Sequence, residues 1–139
     1  MQDLLNYHDK ILMEGAIVEQ LCHVTSVVLH PTLIHASLIY DRQGRQDLSV
    51  LYRSYLEIAL KADLPFLMCS PTWLTHFERV LNSGIVTSIN VDAVRFMQDI
   101  RNQYPHFRNM IKIGGMMGCK GDAYQPEEGL SCREAEACH

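Results

Sequence analysis

Three short stretches place chemistry-bearing residues where an apolar run ends. Ile11-Leu12-Met13 runs into Glu14-Gly15-Ala16, so a buried strand there would present a carboxylate and a flexible glycine at its C-terminal end. Pro65-Phe66-Leu67-Met68-Cys69 runs into Ser70-Pro71-Thr72-Trp73, a turn that carries hydroxyls. Met110-Ile111-Lys112-Ile113 runs into Gly114-Gly115-Met116-Met117-Gly118-Cys119-Lys120-Gly121, closed by Asp122 and Tyr124. In α/β proteins ligands sit on such loops, at the C-terminal ends of parallel strands. Each feature also has a plainer reading. Glu14 suits the first turn of a following helix, where the macrodipole favours an acid, and Trp73 reads as a packing residue.

The five cysteines, Cys22, Cys69, Cys119, Cys132 and Cys138, are odd in number and form no CxxC pair, which fits free cytoplasmic thiols better than a disulfide framework. Their spacing matches no zinc knuckle, and the adjacent Cys138 and His139 would point to opposite sides of a helical turn. No metal ligand is assigned to any of them.

The segments between these stretches read as helices. Ile17, Val18, Leu21 and Val24 keep a helical period that His30-Pro31 interrupts. Leu48, Leu51, Tyr52, Tyr55, Ile58, Ala59 and Ala62 recur at helical spacing, with Asp47 as the expected N-cap and residues 41–46 as a polar loop. A helix through Leu74, Phe77, Val80 and Leu81 is expected to stop at Asn82-Ser83-Gly84. Asn90 is expected to cap a stripe of Val91, Val94, Met97, Ile100 and Tyr104, which Pro105 ends. Ser131-Cys132-Arg133-Glu134 has the form of a capping box opening a last helix. Strands alternating with helical segments of this length require right-handed crossovers and a parallel sheet.

The 139 residues amount to about one domain, and 47% hydrophobic with 20% charged residues is the balance of an ordinary globular protein. The net charge is −4 and no Lys/Arg block occurs, so no nucleic-acid partner is expected. No apolar run approaches the roughly 20 residues that cross a bilayer, and the first ten residues lack the form of a signal peptide. No membrane partner is expected.

Together these segments resemble the homocysteine S-methyltransferase family, zinc-dependent enzymes on a (β/α)8 TIM barrel. Ile11-Leu12-Met13-Glu14-Gly15-Ala16 is similar to the strand and acidic-glycine motif with which members open. Cys69-Ser70-Pro71-Thr72-Trp73 is similar to the hydroxyl-rich turn after their second strand. The glycine-rich loop with Asp122-Ala123-Tyr124, and Glu134-Ala135-Glu136-Ala137-Cys138-His139, fit the loop and helix after the third. Tyr52-Arg53-Ser54-Tyr55-Leu56-Glu57-Ile58-Ala59 resembles the first crossover helix. The chain departs from the pattern where Glu14 replaces an Asp, Val18-Glu19 a Gly-Thr, and Gly118-Cys119-Lys120 a Gly-Pro-Tyr, which marks a divergent branch.

The resemblance implies an α/β fold, with residues 1–139 as the N-terminal part, about three βα units with parallel strands, of a (β/α)8 barrel cut before its zinc-ligand segments. It implies transfer of a methyl group from a sulfonium or similar donor to the homocysteine thiolate, giving methionine, with zinc activating the thiol. The zinc ligands of that family, a Gly-Gly-Cys-Cys motif and one earlier Cys, do not occur in this sequence, so the chain alone is expected to be inactive. Glu14 and Gly15 are the expected contacts for the amino acid's ammonium and carboxylate. Thr72 is a lining hydroxyl, and Asp122 holds the loop through local amide bonds. The third strand would leave an open sheet edge through which the chain self-associates. Two other readings are a small α/β module using its glycine-rich loop for an anion or nucleotide, and a non-catalytic half-barrel that pairs with another chain. Gly114-Gly115-Met116-Met117-Gly118 is neither GxGxxG nor a P-loop, which weighs against the first.

Overall fold

The computed structural model describes residues 2–23, 27–121, 125, 127 and 129–138. It is an α/β protein whose strands β1 (Leu12–Met13), β2 (Phe66–Cys69) and β3 (Ile111–Gly114) form one parallel sheet in the order β1-β2-β3. The strands stand where the apolar runs place them. Among the described residues the helices are α1 (Gln2–Tyr7), α2 (Ile17–Cys22), α3 (Arg42–Ala62), α4 (Phe77–Asn82), α5 (Ile89–Asn102) and α6 (Cys132–Cys138), with 3-10 turns at Ala36–Tyr40 before α3 and at Arg108–Met110 before β3.

Leu48, Tyr52, Leu56 and Ala59 of α3 and Ala93, Phe96, Met97 and Ile100 of α5 bury their stripes in one core with Phe66, Met68 and Ile111 of the sheet. In the paired strands Phe66 stands beside Leu12 and Ile111, so these residues share the face that α3 and α5 cover. Met13, Leu67 and Lys112 share the opposite face and are half-buried or exposed. Both long helices therefore lie on one side, as successive right-handed crossovers of the same sense require.

Several helix boundaries differ from expectation. Asp41, not Asp47, caps α3: its carboxylate accepts the Gly44 N–H at 2.6 Å. Residues 42–47 are therefore helix rather than loop. Gly44 is tolerated because α3 presses on the 3-10 turn there, and a Cβ would meet Leu38 at 2.9 Å. Ser88, not Asn90, is the N-cap of α5. Asn90 lies one residue inside the helix, where its amide reaches Thr75. The helix expected from Leu74 begins only at Phe77, because the hydroxyls of residues 70–75 bond within an irregular turn. Its expected stop holds, with Gly84 at φ 75°. At Ser131 the capping box forms, since Ser131 N–H donates to Glu134 at 2.9 Å and Glu134 N–H to Ser131 Oγ at 3.4 Å.

Candidate functional site

The C-terminal ends of the three strands bring Glu14, Cys69, Ser70, Thr72 and Gly114 into one region. Parity of the parallel ladder explains what each does. Leu12 N–H donates to Pro65 C=O at 2.9 Å, so Pro65, Leu67 and Cys69 direct their peptide groups toward β1. β1 ends before Cys69. The Cys69 N–H therefore donates to the Glu14 side chain, at 3.0 Å from Oε1, where another strand residue would have offered a carbonyl. The Cys69 C=O accepts the Tyr52 hydroxyl at 3.0 Å. Two side chains thus complete the ladder that β1 leaves unfinished.

Glu14 is only 9% exposed, and its second oxygen, Oε2, is buried with no hydrogen-bond partner among the described residues. Burial pushes its pKa above the usual carboxylate value, and hydrogen bonding to its own backbone and to Cys69 offsets only part of that. Burial, with the Glu14 charge beside it, also lifts the Cys69 thiol to about 11, which keeps it protonated and inert. Gly15 is exposed, and its N–H finds no acceptor among the described residues. A Cβ on Gly15 would press on the Tyr55 hydroxyl at 2.9 Å, and that hydroxyl is in turn bonded to Gln20.

Thr72 lies elsewhere in the same region. It is buried, and its hydroxyl pairs with Ser70 at 2.9 Å and donates to the Met116 C=O at 3.1 Å. It pins the glycine-rich loop to the turn after β2. Gly118 completes the attachment, because a Cβ there would collide with the Trp73 carbonyl oxygen and meet Trp73 Cδ1 at 2.8 Å. Between this loop, the turn and the start of α5 lies a cavity of about 830 Å³. Thr72, Trp73, Thr75, Asn90 and Met116 are in its lining, and Glu14 and Gly15 are not. Asp122 lies outside the described residues. Sequence reading missed Asn90 and Thr75 as part of this wall. The signal was present in the polar residue one place inside an amphipathic helix, which is more than a cap requires.

The family resemblance implies a zinc ion. Among the described residues no group of three or more His, Cys, Asp or Glu side chains comes together to hold a metal ion. Cys22, Cys119 and Cys132 are exposed and Cys69 is buried against Glu14, so these donors do not fit the group. Among the described residues no helix is long and apolar enough to cross a membrane.

Fold and site together define an α/β protein whose polar groups gather at the C-terminal ends of a three-stranded parallel sheet. No protein-family model matches the chain, and neither a curated protein nor a solved structure matches it.

Proposed function

We propose that this chain contributes the first strands of a homocysteine S-methyltransferase-like (β/α)8 barrel and takes part in holding homocysteine at their C-terminal ends. The observation that carries the reading is the state of Glu14. One carboxylate oxygen is fixed by the Cys69 amide, while the other is buried and without a hydrogen-bond partner among the described residues. An oxygen so placed loses solvation that an incoming ammonium group restores as a charge-assisted bond. The adjacent Gly15 N–H offers a donor to a carboxylate on the same ligand. Three parallel strands in sequential order, with both long helices on one face, are compatible with consecutive βα units of a barrel. The opposite face, with Met13, Leu67 and Lys112, then belongs to the barrel interior. A separate methyl donor completes the reaction.

Isothermal titration of homocysteine into the wild-type and Glu14→Gln proteins tests the assignment. The glutamine keeps an oxygen for the Cys69 N–H and removes only the charge. Affinity is expected to fall by about 10- to 100-fold, the worth of one hydrogen bond to a charged group. Unchanged affinity sinks the reading.

One observation favours a second reading, the half-barrel that associates with another chain. Ser70 N–H donates to Gly114 C=O at 2.8 Å, so Lys112 and Gly114 bond toward β2. The Ile111 N–H returns to the Arg108 C=O, which leaves the Ile111 C=O and both Ile113 peptide groups facing away from the sheet. A strand added at this edge would pair with them. Sedimentation at rising concentration tests whether a second copy of the chain supplies that strand, and a monomer throughout removes self-association at this edge.

A further inference from the structure

The cavity at the ends of β2 and β3 supports an inference that does not rest on the homocysteine reading. Its volume, about 830 Å³, falls among those of small-molecule sites. Among the described residues its lining contains no Asp, Glu, Lys or Arg, and His76 is the one titratable side chain there. The Thr72 and Thr75 hydroxyls of its lining are already spent on the protein. Thr72 donates to Met116 C=O, Thr75 donates to Thr72 C=O at 2.9 Å and pairs with Asn90, and Asn90 Nδ2 donates to Thr75 C=O at 3.3 Å. Trp73, Phe77, Val91, Val94, Met116 and Met117 supply apolar walls. Phe77 and Met117, 74% and 78% exposed, stand together in this lining and so form part of a contiguous apolar surface. Among the described residues the lining offers no carboxylate, ammonium or guanidinium to replace the hydration that a ligand ion would lose.

We propose that this cavity is a binding site for an uncharged, largely apolar small molecule. Its ring or chain lies on Trp73, Phe77 and the two methionines. Its one hydrogen-bond acceptor meets the first turn of α5, where the Asn90 and Val91 N–H groups have no acceptor among the described residues. Asp92 follows in the same turn and disfavours an anionic head group.

Prodan, an uncharged naphthalene with one ketone, is the probe, and Trp73, the sole tryptophan, reports from the cavity wall. Titration should give saturable one-to-one binding, a blue shift of prodan emission and quenching of Trp73. 1-Naphthalenesulfonate, with similar rings and a charge, should bind at least about tenfold more weakly. Val94→Lys and Val91→Lys, both on the exposed side of α5, should each weaken prodan by about tenfold or more. Val50→Lys, on the exposed side of α3, should leave it unchanged. Prodan binding that does not quench Trp73 overturns the proposal, as does equal or tighter binding of the sulfonate. Indifference to both α5 lysines in folded variants also overturns it. The Trp73 and sulfonate readouts use the unaltered protein, so they decide the matter even if a lysine variant fails to fold.

Discussion

The Glu14 carboxylate accepts the Cys69 N–H at 3.0 Å and so supplies the rung at which β1 runs out. A side chain from one strand end holds the backbone of the next. Removing it should expose two separable effects. Glu14→Ala strands a buried N–H and should cost about 1–3 kcal/mol in urea unfolding. Glu14→Gln keeps the acceptor and should cost much less.

The two variants also differ in pH dependence. Burial raises the Glu14 pKa, so the folded protein keeps a proton that the unfolded chain has released. The contribution of Glu14 to stability is fully present below its ordinary pKa of 4.5 and is lost as pH rises through the raised value. The unfolding free energy of Glu14→Gln should therefore gain on wild type as pH climbs above 4.5. A constant difference across that range would contradict it.

Tyr52→Phe removes the donor to the Cys69 C=O and leaves that carbonyl buried and unpaired. The ring keeps its edge contact with Phe96, at 6.4 Å between centroids, so the fold should persist. Thermal unfolding should show a loss of about 1–2 kcal/mol.

Gly118→Ala and Gly115→Ala form a matched pair. At Gly118 a methyl group collides with the Trp73 carbonyl, whereas at Gly115 nothing lies within 4 Å. The first should shift Trp73 emission to the red as the loop leaves the indole. The second should not alter the spectrum. Equal spectra for both variants would show that the loop does not depend on this contact.

His35 sits in the core at 5% exposure, with Nδ1 unpartnered among the described residues, and burial lowers its pKa to about 4. Its contribution is complete above 6.5, the unfolded value, and is lost as pH falls through about 4. The full loss is on the order of 3 kcal/mol, at about 1.4 kcal/mol per pH unit. Unfolding of wild type and His35→Phe across this window should diverge by that order, with the sign opposite to that of Glu14.

The strands and the long helices were legible because their signals are apolar and continuous. Phe66-Leu67-Met68 is apolar whichever way a strand faces, Ile111 and Ile113 put one apolar face on β3 with Lys112 on the other, and the stripe from Leu48 to Ala59 has no competing period. The start of α3 was not legible. Its first turns carry Arg42, Gln43, Arg45 and Gln46 around a glycine, and only the packing of Gly44 on Leu38 explains why helix persists there. The 3-10 turn at Ala36–Tyr40 and the His30 turn before it were also hidden. His30 Nδ1 accepts the Thr32 and Leu33 N–H groups at 3.1 and 3.2 Å, a role usually read from Asp or Asn. At the site, sequence located Glu14 at a strand end and Thr72 in a loop, but not that each side chain is bonded to the neighbouring strand's segment. That follows from register, which depends on all three strands at once.

The outward Ile113 peptide has a further consequence for how the sheet meets solvent. The Lys112 and Gly114 amides are locked into β2, while the Ile113 amide between them bonds to nothing among the described residues. Deuterium should enter at Ile113 long before its two neighbours, so that one residue records whether anything occupies that side of the sheet.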